Sequence, residues 1–106
     1  MITSGEGKYK VFLEEKKLDD GLIYILGGGE KSHIGGFVLC EPGKEPQVVR
    51  LEGHYDDIVL KPIAEAACSK YNTKVVVVGG VHIDNATKEE IDLLVRNCGL
   101  LIKKLI

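Results

Sequence analysis

The chain has 106 residues, of which 44% are hydrophobic, and its formal net charge is -2. We therefore expect one compact domain over residues 1–106, with a real core and little room for a second functional module. The slightly acidic balance, without a long run of Lys or Arg, argues against a nucleic-acid partner or an anionic membrane surface. The sequence shows neither a signal peptide nor an apolar run of roughly 20 residues, so we expect a cytoplasmic protein.

In the first half of the chain, short apolar or alternating segments predict four strands. The expected strands are residues 8–18, 22–26, 34–40 and 47–51. Asp19-Asp20-Gly21 forms the turn after the first strand, and the glycine-rich segment 27–32 is interpreted as a hairpin-type loop. Together the four strands indicate an antiparallel meander.

After His54 the spacing of apolar residues changes from two to about 3.6, which predicts a helix ending near Asn72. The residues on its expected apolar face are Leu60, Ile63, Ala64, Ala67, Cys68 and Tyr71. Pro62 fits a first helical turn better than an interior, so either the regular helix begins near Lys61 or residues 56–61 form a kinked lead-in.

Lys74 is followed by four consecutive valines, the pattern of a strand that is covered on both faces. We expect this strand, residues 74–78, at the centre of the sheet. The three cysteines, Cys40, Cys68 and Cys98, are odd in number and have no C-x-x-C spacing, so we expect core residues rather than disulfides or zinc ligands.

The last element is a helix that begins at Lys88. Thr87 and Glu90 have the spacing of a capping box, in which each side chain binds the other residue's backbone N–H. Leu93 and Leu100 lie near the opposite side of the helix from the apolar stripe, which consists of Ile91, Leu94, Val95, Cys98, Leu101, Ile102 and Leu105. These two leucines are either singly exposed residues or an interface with a subunit or partner.

The predicted order is four strands, helix, buried strand, helix, written ββββαβα. Helices with one apolar face pack over a mostly antiparallel sheet, which indicates an α+β fold. Exposed strand edges in so small a domain also favour edge pairing between copies, which would give a homo-oligomer.

All three histidines lie beside glycines at predicted ends of elements. The segments are Ser32-His33-Ile34-Gly35-Gly36, Gly53-His54-Tyr55-Asp56-Asp57 and Gly79-Gly80-Val81-His82-Ile83-Asp84-Asn85. Histidine titrates near neutral pH, binds metals and forms hydrogen bonds, so three copies in loops suggest a functional site. A fold that brings these loops together would assemble imidazoles and carboxylates in one place.

Two structural alternatives stay open for the acidic residues. Asp56 and Asp57 could cap the first helix, and Asp84 with Asn85 could simply form the turn before Thr87. The segment Gly79 to Asn85 also precedes a helix start, where backbone N–H groups favour a phosphate or carboxylate that His82 could bind. Imidazoles and carboxylates brought together by the fold could bind Zn²⁺ or Mn²⁺. No ligand spacing of the H-x-x-x-H type is present, however, so the sequence predicts no metal site.

Two short motifs, G-H-x-D-D at residues 53–57 and G-x-H-x-D-N at residues 80–85, carry a family resemblance. The valine run lies between the two motifs and the capping box follows the second. With these features, residues 22–104 resemble the LpdD-like proteins. These are small prenylated-flavin chaperones with a fold like that of the proteasome assembly chaperones. The resemblance is carried by the residues His54, Asp56, Asp57, His82, Asp84 and Asn85.

The resemblance implies a non-catalytic accessory protein that binds prenylated FMN or FMN, or that helps a UbiD-type decarboxylase to mature. It also implies a dimer, and FMN phosphate could lie at the start of the last helix. Two other function classes remain. One is a small enzyme or metal-binding protein that uses His54 and His82 with Asp56 and Asp84. The other is an assembly chaperone that acts only through protein contacts.

Overall fold

Six strands form one mixed sheet and two helices cover one of its faces in the computed structural model, which describes residues 1–106. The strands are β1 (Ile2–Ser4), β2 (Val11–Leu18), β3 (Gly21–Gly28), β4 (Lys31–Cys40), β5 (Gln47–Arg50) and β6 (Lys74–His82), and the helices are α1 (Asp57–Tyr71) and α2 (Lys88–Leu105). The predicted α+β class and the order of the predicted elements are confirmed. The short strand β1 was not predicted; it pairs with β2.

The strand order is β1-β2-β3-β6-β4-β5, which departs from a simple meander in one place. β6 is inserted between β3 and β4, parallel to β3 and antiparallel to β4. The most apolar strand therefore gains a hydrogen-bonded neighbour on each side, as its predicted central position requires. The short β3–β4 connection crosses the end of β6, where the N–H of Glu30 donates to the carbonyl of His82.

The predicted loop at 27–32 is largely strand, because β3 and β4 continue nearly to each other. β6 likewise continues beyond the predicted end at Val78 as far as His82. Both differences have one cause. Ser32 pairs with Val81 and Lys31 pairs with His82, and this pairing continues the strands beyond their predicted ends.

The helices follow the sequence closely, except at the start of α1. Its helical conformation begins at Asp57 with Pro62 inside, so the alternative of a start near Lys61 is wrong. The predicted apolar face is buried apart from Tyr71, which is exposed. α2 begins at Lys88, as predicted, with both hydrogen bonds of the capping box between Thr87 and Glu90.

The sheet has one covered and one open face. Val75 and Val77 are buried under the helices, whereas Val76 and Val78 on the other side of β6 are only half-buried. We expected β6 to be covered on both faces, but within the single chain only one of its faces is covered. All three cysteines are buried and free, as predicted. Neither helix has an apolar stretch of the length and composition needed to cross a bilayer.

Candidate functional site

A cleft of about 380 Å³ lies where the N-terminal end of α1 and the first half of α2 meet the end of β6. Its volume is in the range of small-molecule sites. The apolar lining residues are Tyr55, Ile58, Val59, Val81, Ile83, Ala86, Ile91, Leu94 and Val95. All three histidines also line the cleft, so the fold brings together the three segments that the sequence singled out.

His33 enters the cleft because β4 carries a bulge. Between the pairs Ser32–Val81 and Gly36–Gly79, three residues of β4 lie opposite the single residue Gly80 of β6. A bulge of this kind changes the direction in which a side chain points, and bulges are frequent beside functional sites. The His33 Nε2 lies 3.0 Å from the Oδ2 of Asp56, which is 23 residues further along the chain.

Asp56 is at the N-cap position of α1, but its carboxylate makes no hydrogen bond to that helix. Its Oδ1 instead accepts the N–H of Val81 in β6 at 3.0 Å, and its Oδ2 faces His33. The residue is 8% exposed, so this nearly buried carboxylate depends on partners from two other elements. The capping alternative for Asp56 is therefore wrong, because the side chain joins α1 to the sheet.

His54 comes from the loop before α1 and completes a compact group. Its Nδ1 lies 3.9 Å from the Oδ2 of Asp56, and its ring meets that of His33 edge to face, with centroids 4.7 Å apart. The His33 and His54 side chains are 25% and 35% exposed, respectively. Both imidazoles are thus accessible from the cleft while Asp56 lies behind them.

The ring of His82 also lies beside that of His33, with ring centroids 5.5 Å apart. Its Nε2 is 2.9 Å from the Oδ1 of Asp84, so Asp84 orients this imidazole and does more than form a turn. The hydrogen bond from His82, followed by the charge of Lys31 at 3.4 Å, lowers the pKa of Asp84 below its ordinary value. The N–H of Asp84 donates to Glu30, which ties this segment to the β3–β4 connection.

Other predicted site residues lie in different surroundings. Asp57 points away to a bidentate ion pair with Arg50, at 2.7 and 2.9 Å, and the hydrogen bond from Arg50 lowers the pKa of this carboxyl. Gly79 and Gly80 belong to β6 and not to a loop at the start of α2. Asn85 has a left-handed backbone, with φ of 51°, and lines the cleft.

The predicted interface residues Leu93 and Leu100 are both half-buried. Ile91 and Val95, which the sequence assigned to the buried stripe of α2, are instead the exposed apolar residues at the rim of the cleft. A partner contact at Leu93 and Leu100 stays a prediction.

Gly35 is a site residue that sequence reasoning did not single out. A Cβ at this position would collide with the carboxylate of Asp56. A Cβ at Gly80 would lie 2.6 Å from the Cδ2 of His33 and 2.7 Å from the Cγ of Asp56. The available signal was the pair Gly35-Gly36 inside a predicted strand, since glycine in a strand marks a bulge or a close approach.

The start of α2 already contains an anion. Glu90 binds the N–H of Thr87, and its Oε2 also accepts the Tyr9 hydroxyl and contacts Lys8 at 2.9 Å. The backbone bond from Thr87, then the contacts with Lys8 and Tyr9, lower the pKa of Glu90 to about 2. A ligand phosphate would therefore meet a fixed carboxylate here, which makes the three imidazoles the better anion-binding groups of the cleft.

The family model for the prenylated flavin chaperone LpdD-like domain matches residues 5–106. This chain belongs to that family. The match includes β2 to β6, both helices and every residue of the cleft, whereas β1 precedes its first residue. A comparison with curated proteins finds no match.

A solved structure with the same fold is described as a novel chaperone complex for yeast 20S proteasome assembly. The likeness covers 98% of this chain and 89% of that chain, with a TM-score of 0.62 and 15% sequence identity. At this identity the likeness establishes the fold, and the expectation of a fold like that of the proteasome assembly chaperones is confirmed.

Proposed function

We propose that this LpdD-like protein is a non-catalytic carrier that binds prenylated FMN in the cleft between α1 and α2 and supplies it to a UbiD-type decarboxylase. The observation that carries the proposal is the composition of the cleft: apolar walls from both helices and three imidazoles on one side. A flavin mononucleotide has the same division, because its ring system is large and mostly apolar whereas its phosphate is charged. The residues present therefore fit the group that the family name implies.

Within this cleft, the rim residues Ile91 and Val95 would contact the ring system and the histidines would contact the phosphate. An imidazole donates a hydrogen bond through a ring N–H, and His33 and His54 are accessible from the cleft. The phosphate is thus assigned to the histidines and not to the start of α2, where Glu90 holds a negative charge. Asn85 lines the same cleft and offers amide donors.

Flavin binding by the isolated protein tests the carrier function. We expect titration with FMN or prenylated FMN to quench flavin fluorescence and to shift the amide signals of residues 81–86. Val95→Asp should weaken binding at least about tenfold, because the ligand would bury an unpaired carboxylate. Val48→Asp is the matched control: Val48 lies on β5 outside the cleft, with 41% exposure against 42% for Val95.

Equal effects of the two substitutions, or no binding of either flavin, would contradict the carrier function. The partner enzyme needs a separate measurement, in which the loaded protein is mixed with an apo-decarboxylase of the UbiD type. Transfer of the flavin at a rate that depends on carrier concentration would support delivery. Activation of the enzyme by the flavin-free protein would instead favour a chaperone that acts through protein contacts alone.

We place the expected homodimer contact on the open face of the sheet. Ile25, Val78, Phe37 and Val49 are successive cross-strand neighbours on this face. A second copy would supply the layer that an apolar sheet face needs. Phe37→Glu should shift the sedimentation coefficient to that of a monomer, whereas Ile58→Glu at the cleft should not.

A cytoplasmic location, where three reduced cysteines are expected, stays a prediction.

One observation favours a second candidate function, that of a small enzyme. The His82–Asp84 pair has the geometry of an imidazole oriented by a carboxylate, which general bases use. Turnover of a bound flavin that His82→Asn abolishes, with the fold and flavin affinity retained, would favour this alternative over the carrier.

A further inference from the structure

His33, His54 and Asp56 form a group whose ligand atoms all lie within 4.8 Å of one another. We propose that these three residues bind one divalent transition-metal ion, such as Zn²⁺ or Mn²⁺, with a further coordination position open to the cleft. The inference goes beyond the flavin proposal and does not depend on it, because the metal alone is the probe.

The donor distances fit a shared ion. With metal–ligand bonds of about 2.0–2.1 Å, two donors of a tetrahedral site are separated by about 3.3 Å. The Oδ2 of Asp56 lies 3.0 Å from the His33 Nε2 and 3.9 Å from the His54 Nδ1, so small side-chain movements would place all three around one ion. Two imidazoles and one carboxylate are a donor set that suits Zn²⁺, Mn²⁺ and Fe²⁺.

The carboxylate of Asp56 is already positioned for this role. Its Oδ1 accepts the N–H of Val81 at 3.0 Å, which fixes the orientation of the group and leaves Oδ2 directed at the two imidazoles. Outer hydrogen bonds of this kind are a regular feature of protein metal sites. A simple His33–Asp56 hydrogen bond would not require the ring of His54 to lie 3.9 Å from the same oxygen.

The backbone lies close against the group at two glycines. Gly35 and Gly80 lie against the Asp56 carboxylate and the His33 ring, and a Cβ at either position would overlap them. The three donors come from a bulge of β4, a loop and the start of α1, so the completed site would tie the sheet to the helix layer. Metal binding is therefore expected to stabilise the fold as well.

An ion of charge +2 with one carboxylate ligand leaves a net positive charge at the open position. The site would then favour an anionic oxygen ligand, such as a phosphate or carboxylate group, in the cleft. His82 lies beside His33 but its Nε2 is engaged by Asp84, so we assign it outside the metal-binding set.

Isothermal titration of the chelator-treated 106-residue protein with ZnCl₂ and MnCl₂ tests this site. We expect binding of one ion per chain for at least one of the two metals. His54→Ala and Asp56→Asn should each weaken binding about 10- to 100-fold or more. His54 is in a half-exposed loop, and the amide introduced by Asp56→Asn retains an oxygen for the Val81 N–H, so both variants are expected to fold; circular dichroism checks this.

His82→Asn is the matched control, since it removes a third imidazole of the same cleft. We expect its metal affinity to remain within about threefold of that of the unchanged protein. Failure of both metals to bind would overturn the site. Binding that persists in folded His54→Ala, or that His82→Asn weakens as much as His54→Ala does, would overturn the assigned ligands. If the unchanged protein binds FMN but neither metal, the metal site is wrong and the carrier function still stands.

Discussion

The starts of the two helices use their acidic residues in opposite ways. At α2, Thr87 and Glu90 satisfy each other's backbone N–H groups, and Tyr9 and Lys8 add further contacts with Glu90. At α1, the carboxylate of Asp56 makes no bond to its own helix and crosses to β6 and His33 instead. One start is closed by its own side chains, and the other contributes its cap residue to the cleft.

The difference shows how a fold of two layers obtains a site. A capping residue that bonds its own helix contributes only to local stability, whereas Asp56 links α1, β4 and β6 in one contact group. The sequence is ambiguous here because an aspartate before a helix suits both roles. The glycines at 35 and 80 decide between them, since they leave room for the carboxylate against the sheet.

The largest expected effect on stability is that of Asp56→Ala. The change leaves the Val81 N–H and the His33 ring without their partner in a nearly buried position, so we expect a loss of about 3 kcal/mol of unfolding free energy. Urea unfolding followed by circular dichroism, with a chelator present, measures it. Asp56→Asn keeps an acceptor for Val81 and should cost less. A loss below about 1 kcal/mol for Asp56→Ala would mean that the contact group is not structural.

Gly80→Ala is expected to have the next largest effect. The added methyl group would force His33 and Asp56 apart. This should lower the unfolding free energy by about 2 kcal/mol and weaken the binding of any ligand in the cleft. Gly99→Ala is the matched control on the exposed side of α2, where a Cβ meets no atom within 4 Å. It should stabilise the protein by about 0.5–1 kcal/mol. The same sign for both substitutions in urea unfolding would contradict the close packing at Gly80.

Thr87→Ala examines the closed start of α2. Loss of the cap should lower the unfolding free energy by about 1 kcal/mol, because the Glu90 N–H loses its acceptor. Flavin and metal affinities should not change, since Thr87 lines no part of the cleft. A change in either affinity, measured by titration of the folded variant, would show that the two helix starts are coupled.

The sequence predicted the parts of the fold that depend on local pattern. Short apolar or alternating segments located five of the six strands, the 3.6-residue spacing located both helices, and the capping box located the first residue of α2. The insertion of β6 between β3 and β4 has no local signal, since it depends on which strands pair over long range. The extension of β6 to His82 is part of the same pairing, because residues 79–82 have no strand-like alternation of their own.

The site was predictable at the level of segments but not of contacts. The three histidines beside glycines were found from the sequence, and all three line one cleft. That His33 and not His82 faces Asp56 depends on the bulge in β4, which shifts the register by two residues. The pairing of Asp57 with Arg50 is likewise set by the position of β5, 7 residues earlier in the chain.

The smallest expected effect is in the acid dependence of stability, and it belongs to the closed helix start. The pKa of Glu90 is lowered to about 2 by the Thr87 backbone, Lys8 and Tyr9, against 4.5 for an ordinary glutamate. A carboxyl whose pKa is lower in the folded state stabilises the fold above its unfolded pKa, and this contribution is lost as the pH falls through the folded pKa. Stability should therefore fall between pH 4.5 and pH 2, and Glu90→Gln should reduce that fall. Glu89→Gln removes a carboxylate of the same turn that lies outside the capping box, so it is the matched control. Equal urea-unfolding profiles for the two variants over this pH range would contradict the role assigned to the contacts of Glu90.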